Sequence, residues 1–294
     1  MANITRAQAL RLANHAAGAS NQDIKEIIKF CESIADKNAH YCSGPGAAAR
    51  FLPFLYSVIN GGEIKPKYEI FQDKNGKLPF INYSSLPIVN CPGAAECKIY
   101  CYSLRAWRYP MALFRQIQNT VLERRAFSVI TSELLNKINA GKYKKLNKID
   151  FRLYVDGDFP NYQILDNWFN FLAVNPRLNV YGYSKSLHLF KQRIKSGDIW
   201  PQNYVLNLSN GGKYDNLHNE LIKHDQVRGK FYAVSIGRKT TPQKLTKTER
   251  AQIRKQTPRK VFICPGLCGS CTSAGHACGN LSTFKNLDIV IPIH

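Results

Sequence analysis

From Ile149 onward the sequence alternates between short apolar runs and longer stretches whose apolar residues fall at helical spacing, and this rhythm constrains the fold more than any other feature. Ile149–Val155, Leu178–Tyr183, Asn203–Leu208, Lys230–Ser235 and Lys260–Ile263 read as strands. Met111–Asn139, Tyr162–Val174, Leu187–Ile194 and Tyr214–His224 read as helices. With the apolar run Leu86–Val89 as a leading strand, about six strands are separated by helix-length segments. That order implies parallel strands joined by right-handed crossovers. The expected class is α/β, a parallel (β/α) barrel or partial barrel, with an open doubly wound sheet as the competing architecture. Residues 1–85 read as a helical and hairpin extension, its hairpin being Tyr68–Phe71 and Phe80–Tyr83 joined by Asp73–Gly76. Residues 86–294 form the barrel-like domain.

Each expected strand stops at polar or special residues: Cys91, Asp156 with Asp158, Ser184 with Lys185, Ser209 with Asn210, Ser235, and Cys264. In a parallel barrel these ends share one rim, where chemistry sits. Closure would also make first and last strands neighbours and set Cys91 beside Cys264.

Seven of the nine cysteines fall in two sets, each opening with Cys-Pro-Gly after an apolar run. Cys91, Cys97 and Cys101 are spaced C-x5-C-x3-C; Cys264, Cys268 and Cys271 are spaced C-x3-C-x2-C and are followed by His276 and Cys278. Thiolates at short separations on loops leaving strands suit zinc or an iron–sulfur cluster, and the Pro-Gly turn leaves amide N–H groups to point at sulfur. All seven are candidate metal ligands. The second set supplies four donors by itself. The first needs a fourth, with Cys42 and His40 as candidates, or leaves a coordination position open. An iron–sulfur cluster is the expected cofactor and zinc the alternative.

The chain carries 41 Lys and Arg against 20 Asp and Glu, a formal charge of +21. Such an excess points to a polyphosphate partner, nucleic acid or a nucleotide, because each neutralised phosphate releases a counterion. Arg105 and Arg108, interleaved with Trp107 and Tyr109, and Lys244, Lys247, Arg250 and Arg254, in a stretch from Gly237 to Lys260 expected to be mobile, are the candidate nucleic-acid contacts. Asp156, Asp158 and Lys185 are the candidate catalytic residues: paired carboxylates for proton transfer or ribose hydroxyls, and a cation for phosphate. A polar turn with Asp158 capping the following helix is the structural alternative. His188, His218 and His224 read as ordinary surface histidines. No apolar run approaches the roughly 18 residues of a membrane span, and Met1–Arg6 leads into no apolar signal core. A cytoplasmic protein with no membrane partner is expected, and there clustered thiols favour metal over disulfides.

The C-x3-C-x2-C spacing resembles that of radical S-adenosylmethionine enzymes, which hold a three-cysteine cluster at a strand end of an α/β barrel. That family places the motif after its first strand, whereas here it follows the last expected one. The spacing resemblance alone implies S-adenosylmethionine as a co-substrate, and the motif's position departs from that family. The order Cys91-Pro-Gly to Cys97-x3-Cys101-Tyr102, then Arg152–Phe159, then Tyr181-Gly-Tyr-Ser-Lys185, then the terminal Cys-Pro and Cys-x2-Cys looks like the gene product 88 family of phages and plasmids, over Leu86 to Cys278. The resemblance implies a mobile genetic element in a bacterial host and no mechanism. A non-enzymatic nucleic-acid-binding protein with structural zinc sites is the alternative to an iron–sulfur protein acting on nucleic acid or a nucleotide.

Overall fold

The computed structural model describes residues 4–73, 78–237, 245–257, 261–266, 268–269, 271–273 and 275–293. Its elements are α1 (Arg6–Gly18), α2 (Asn21–Ile34), α3 (Gly44–Ile59), β1 (Phe71–Gln72), β2 (Ile81–Tyr83), α4 (Pro110–Arg125), α5 (Phe127–Ile138), β3 (Ile149–Arg152) and α6 (Tyr162–Ala173). There follow β4 (Leu178–Ser184), α7 (Leu187–Ser196), β5 (Tyr204–Ser209), α8 (His218–Leu221), β6 (Val227–Ser235), α9 (Lys247–Lys255), β7 (Val261–Ile263), α10 (Leu281–Phe284) and β8 (Asp288–Ile293). They fall into two compact units, each assembled from separated stretches of chain.

The first unit, residues 1–71, 83–90 and 101–145, is helical. Thr5 and Ser20 start α1 and α2 with reciprocal capping boxes, and Ser43 caps α3. Ile24, Ile27, Ile28 and Cys31 recur at helical spacing on the buried side of α2. The centre of the unit is α4, which buries polar side chains as well as apolar ones. Gln118 bonds the backbone of Lys67 and Tyr68, Asn119 bonds the carbonyls of Ile70 and Ser84, and Thr120 accepts from the Leu86 amide. Irregular chain is thereby satisfied inside the unit without pairing in a sheet, as buried backbone must be. Leu86–Val89 is consequently no strand: its amide goes to Thr120, and Ile88 turns at φ 68°. The expected helix Met111–Asn139 is also interrupted, at Ala126, where φ is −153° and ψ 54°.

The second unit, residues 72–82, 91–100 and 146–294, carries the sheet. Strand order is β1-β2-β3-β4-β5-β6-β8-β7, and every pair from β2 to β7 with a recorded register is parallel. The α/β class and the parallel strands are therefore as expected. Among the described residues the sheet does not close into a barrel: β1 and β7 stand at the two ends of the order. β7 is also not the last strand, because β8 follows it and inserts between β6 and β7. Its signal was masked by Pro292, a residue that ordinarily demotes a run to an edge.

Register separates the faces. Phe151, Val180 and Tyr204 are successive cross-strand partners, and Trp168 of α6 and Phe190 of α7 pack on that side. Arg152, Tyr181 and Val205 are partners on the opposite side. That second face meets the cysteine-bearing segment and the short α10: Leu78, Phe80, Tyr181, Val205, Ala277, Cys278 and Ile289 form its buried cluster, with Cys264, Cys268 and Cys271, and Leu281 and Phe284 of α10, packed against it. Among the described residues no helix is long and apolar enough to cross a membrane.

Candidate functional site

The second cysteine set comes together on this face. Cys264 extends β7, its amide donating to the Val290 carbonyl, and the chain then turns back over the sheet. Glycine is required at two points of that path: Gly266 has φ 81°, and Gly269 has φ 90° with Pro79 directly against it. Cys264, Cys268 and Cys271 feel one another electrostatically, as Cys278 does Cys264 and Cys268. Burial pushes the thiols of Cys264 and Cys268 up, and that of Cys278 up to about 12. Several groups oppose burial by favouring thiolate. The Gly266 and Ala277 amides donate to Cys264 and Cys271 sulfur at 3.4 Å. Tyr181 and Tyr183 donate to Cys268 and Cys278, and the guanidinium groups of Arg152 and Arg228 lie within range. Arg152 also sits over the Tyr183 ring at 4.9 Å.

His276 is committed elsewhere. Its Nδ1 accepts from the Gly279 amide, and its Nε2 lies 3.2 Å from Asp150. The donor set is thus four cysteines, which suits zinc or an iron–sulfur cluster. They share one cluster, but among the described residues no three Cys, His, Asp or Glu groups are drawn to ligating spacing.

The segment that follows Cys91 lies against the turns after β4 and β5 of the same sheet. Gly93 presses on the turn after β4: a Cβ there would meet the Lys185 carbonyl oxygen at 1.8 Å. Its carbonyl takes the Lys213 amide, and Ala94 bridges to Gly212 after β5. The chain beside Cys91 thus meets the turns after β4 and β5, in the middle of the strand order, whereas Cys264 follows β7 at its end, and among the described residues the closure expected to make first and last strands neighbours is not formed. Cys97 lies in a 3₁₀ turn, Glu96–Lys98, and Cys101 precedes another, Tyr102–Arg108, in the helical unit. Cys42 is exposed in the helical unit, its sulfur 3.5 Å from Met111 Sδ, and Cys31 is core.

Asp158 is buried and accepts from the amides of Phe159, Lys185 and Ser186 and from the Ser184 hydroxyl. It fastens the turn after β4, while Asn161 caps α6. Burial holds its carboxyl above the usual range. Asp156 is partly buried beside Gly157, which has φ 84°. Lys185 Nζ meets the Ser209 hydroxyl at 2.5 Å.

His218 departs from the surface reading. It is 4% exposed at the head of α8, bonded to the Ser209 backbone, and its Nε2 has no hydrogen-bond partner. Burial holds its pKa down, with the Asp215 carboxylate, 3.7 Å from Nε2, opposing the shift. Nothing in its local sequence marks this; only the β5 end brings it in.

Of the basic candidates, Arg105 and Arg108 are exposed in the helical unit. Lys247, Arg250 and Arg254 are exposed on α9, which buries Ile253 against Val234, Ile236 and Val290. The expected mobile stretch thus contains a helix, started by a Thr246–Glu249 capping box. Lys244 lies outside the described residues.

Fold and site together define a parallel α/β protein with a cysteine-lined sheet face. The chain belongs to the Gene product 88 family, whose match runs over residues 60–278. It begins ahead of β1 rather than at Leu86, so it takes in the first two strands. No curated protein and no solved structure matches the chain significantly.

Proposed function

We propose that Cys264, Cys268, Cys271 and Cys278 hold a metal centre, an iron–sulfur cluster ahead of zinc, in a protein that binds or acts on nucleic acid or a nucleotide. The gathering of four thiols against one sheet face, with amide and tyrosine donors turned on their sulfurs, supports this reading. A bound cation would offset the cost of burying these thiolates, and donors to sulfur tune such centres. When bound, an iron–sulfur cluster supplies electron transfer or, with an open position, S-adenosylmethionine chemistry. The chain's own residues exclude water from the sulfurs through Phe80, Phe231 and Phe262, and balance an anionic thiolate centre through Arg152 and Arg228. Cys91 and Cys97, which belong to the sheet-bearing unit, are proposed as ligands of a further site. Lys185, Asp156 and Asp158 belong to the carboxyl edge, where bound ligands of parallel sheets are found. Zinc without catalysis remains the second reading, favoured by the four-donor count.

Anaerobic purification followed by metal analysis and absorption spectroscopy tests the proposal. Stoichiometric iron with a brown, broad absorption is expected in the parent and in Cys31→Ala, and its loss in Cys264→Ser with Cys268→Ser. Colourless protein with stoichiometric zinc would select the alternative. A metal-free parent, or metal retained in the double variant, would overturn the centre.

A further inference from the structure

We propose that Tyr102, Arg105 and Arg108, with Tyr109 and Tyr41 beside them, form a contact surface for single-stranded nucleic acid. The inference rests on the nucleic-acid half of the reading above and is independent of the metal. Its carrier is the 3₁₀ helix Tyr102–Arg108. Such helices have three residues per turn, so residues i, i+3 and i+6 eclipse, and runs beyond three or four residues are uncommon. This one runs for seven residues, and its exposure follows the period of three. Tyr102, Arg105 and Arg108 are exposed, Ser103 and Trp107 are buried, and Leu104 and Ala106 lie between. Trp107 fixes the register by donating its indole N–H to Gln116 of α4 at 2.8 Å. A buried tryptophan therefore orients a row of one tyrosine and two arginines outward.

Rising about 2 Å per residue, the helix sets its arginines roughly 6 Å apart. That separation is comparable to the spacing of successive phosphates on an extended single strand. The aromatic component is unusually open: Tyr102 is 60% exposed, Tyr109 59% and Tyr41 51%. Tyr109 carries the Arg108 guanidinium over its ring at 5.1 Å. Tyr41 belongs to the same neighbourhood because the next residue, Cys42, touches Met111, two positions beyond Tyr109. Exposed rings offer stacking platforms that any base can use, while guanidinium groups take phosphate. Duplex, whose bases are already stacked, gives the rings nothing to hold. Charge agrees: residues 101–145 hold nine Lys and Arg against two Glu.

The test is fluorescence anisotropy of the full chain with labelled single-stranded DNA, single-stranded RNA and duplex DNA across a salt series, with metal content measured in every variant. Preference for single strands is expected, with the DNA and RNA arms distinguishing the source. Arg105→Gln with Arg108→Gln should weaken binding at least tenfold and reduce the salt slope by about 1.4, from roughly 0.7 per phosphate on single strands. Tyr102→Ala with Tyr109→Ala should weaken it about tenfold or more, and Tyr102→Phe with Tyr109→Phe should restore it, since the ring does the stacking. Lys142→Gln with Lys144→Gln, outside the row, should have a smaller effect than the arginine pair. Parent protein that binds single strands equally well when the row is changed overturns this surface and leaves the nucleic-acid reading standing. Preference for duplex also overturns it. A parent that binds no nucleic acid removes both readings, whatever its metal content.

Discussion

The two faces of the sheet are built from the same strands and differ in what covers them. On one, Phe151, Val180 and Tyr204 meet Trp168, Phe169 and Phe190, and aromatic rings stand 4.9–6.3 Å apart from their nearest partners across strand and helix. On the other, Asp150, Arg152, Tyr181, Tyr183 and Asn207 meet a segment of short turns whose side chains are thiols and an imidazole. The first face closes by excluding water, which needs only shape and apolar area. The second closes by satisfying polar atoms one at a time. Asn207 spans the Gly182 and Cys278 carbonyls, Arg228 reaches Asn207 and Leu287, and His276 reaches Asp150. A helix-covered face fixes the fold, and an individually wired face is one that chemistry can use.

Three measurements break or sharpen that contrast. Trp168→Ala on the helix-covered face should produce the largest loss, about 3–5 kcal/mol by urea denaturation, because it opens a cavity in a packed aromatic layer. Metal content of the folded fraction should be unchanged. A loss below about 1 kcal/mol would mean that this face is no tighter than the other.

Asp158→Asn should cost about 1–3 kcal/mol, since it sets an amide N–H against backbone donors in a buried turn. It also separates two pH profiles. Burial raises the folded-state pKa of Asp158 above its unfolded value, so the folded protein holds that proton more tightly. The group's contribution is complete below the unfolded value and is lost as pH rises through the folded one. Parent protein should therefore gain stability relative to Asp158→Asn as pH falls from neutrality toward the ordinary carboxylate range. Parallel profiles for the two proteins would rule this out.

The smallest effect is expected on the cysteine-bearing face. Tyr183→Phe removes one hydroxyl that donates to Cys278 and should cost about 1 kcal/mol in denaturant. Its signature is instead a shifted absorption or reduction potential of the proposed centre, because donors to sulfur tune such sites. A large stability loss with an unaltered spectrum would make this face a second structural core and erase the distinction.

Strands β3 to β7 were legible because their apolar runs are short, β-branched and bounded by polar residues. The helices between them were legible from apolar spacing and caps. Leu86–Val89 had the same local signature and became a turn, because its Leu86 amide goes to the Thr120 side chain of α4, more than thirty residues away, and its Val89 amide to the Pro87 carbonyl. β8 went unread because Pro292 argues locally against a strand, although Pro292 pairs opposite Val234. His218 looked ordinary because a histidine's role depends on what surrounds its nitrogens, and those neighbours come from the end of β5. Trp107 and its flanking arginines read as one mixed cluster, and only the 3₁₀ register turned the ring inward and the arginines outward.

By itself the sequence determined the α/β class, the parallel order of consecutive strands and the grouping of the thiols, since periodicity and spacing are properties of neighbouring residues. Tertiary structure alone decided that the sheet stays open, that β8 enters between β6 and β7, and that the second cysteine set folds back over a sheet face. Closure and strand insertion depend on competition among distant partners for the same edges. A thiol's neighbours are likewise set by which face the returning chain covers, and no local pattern encodes that choice.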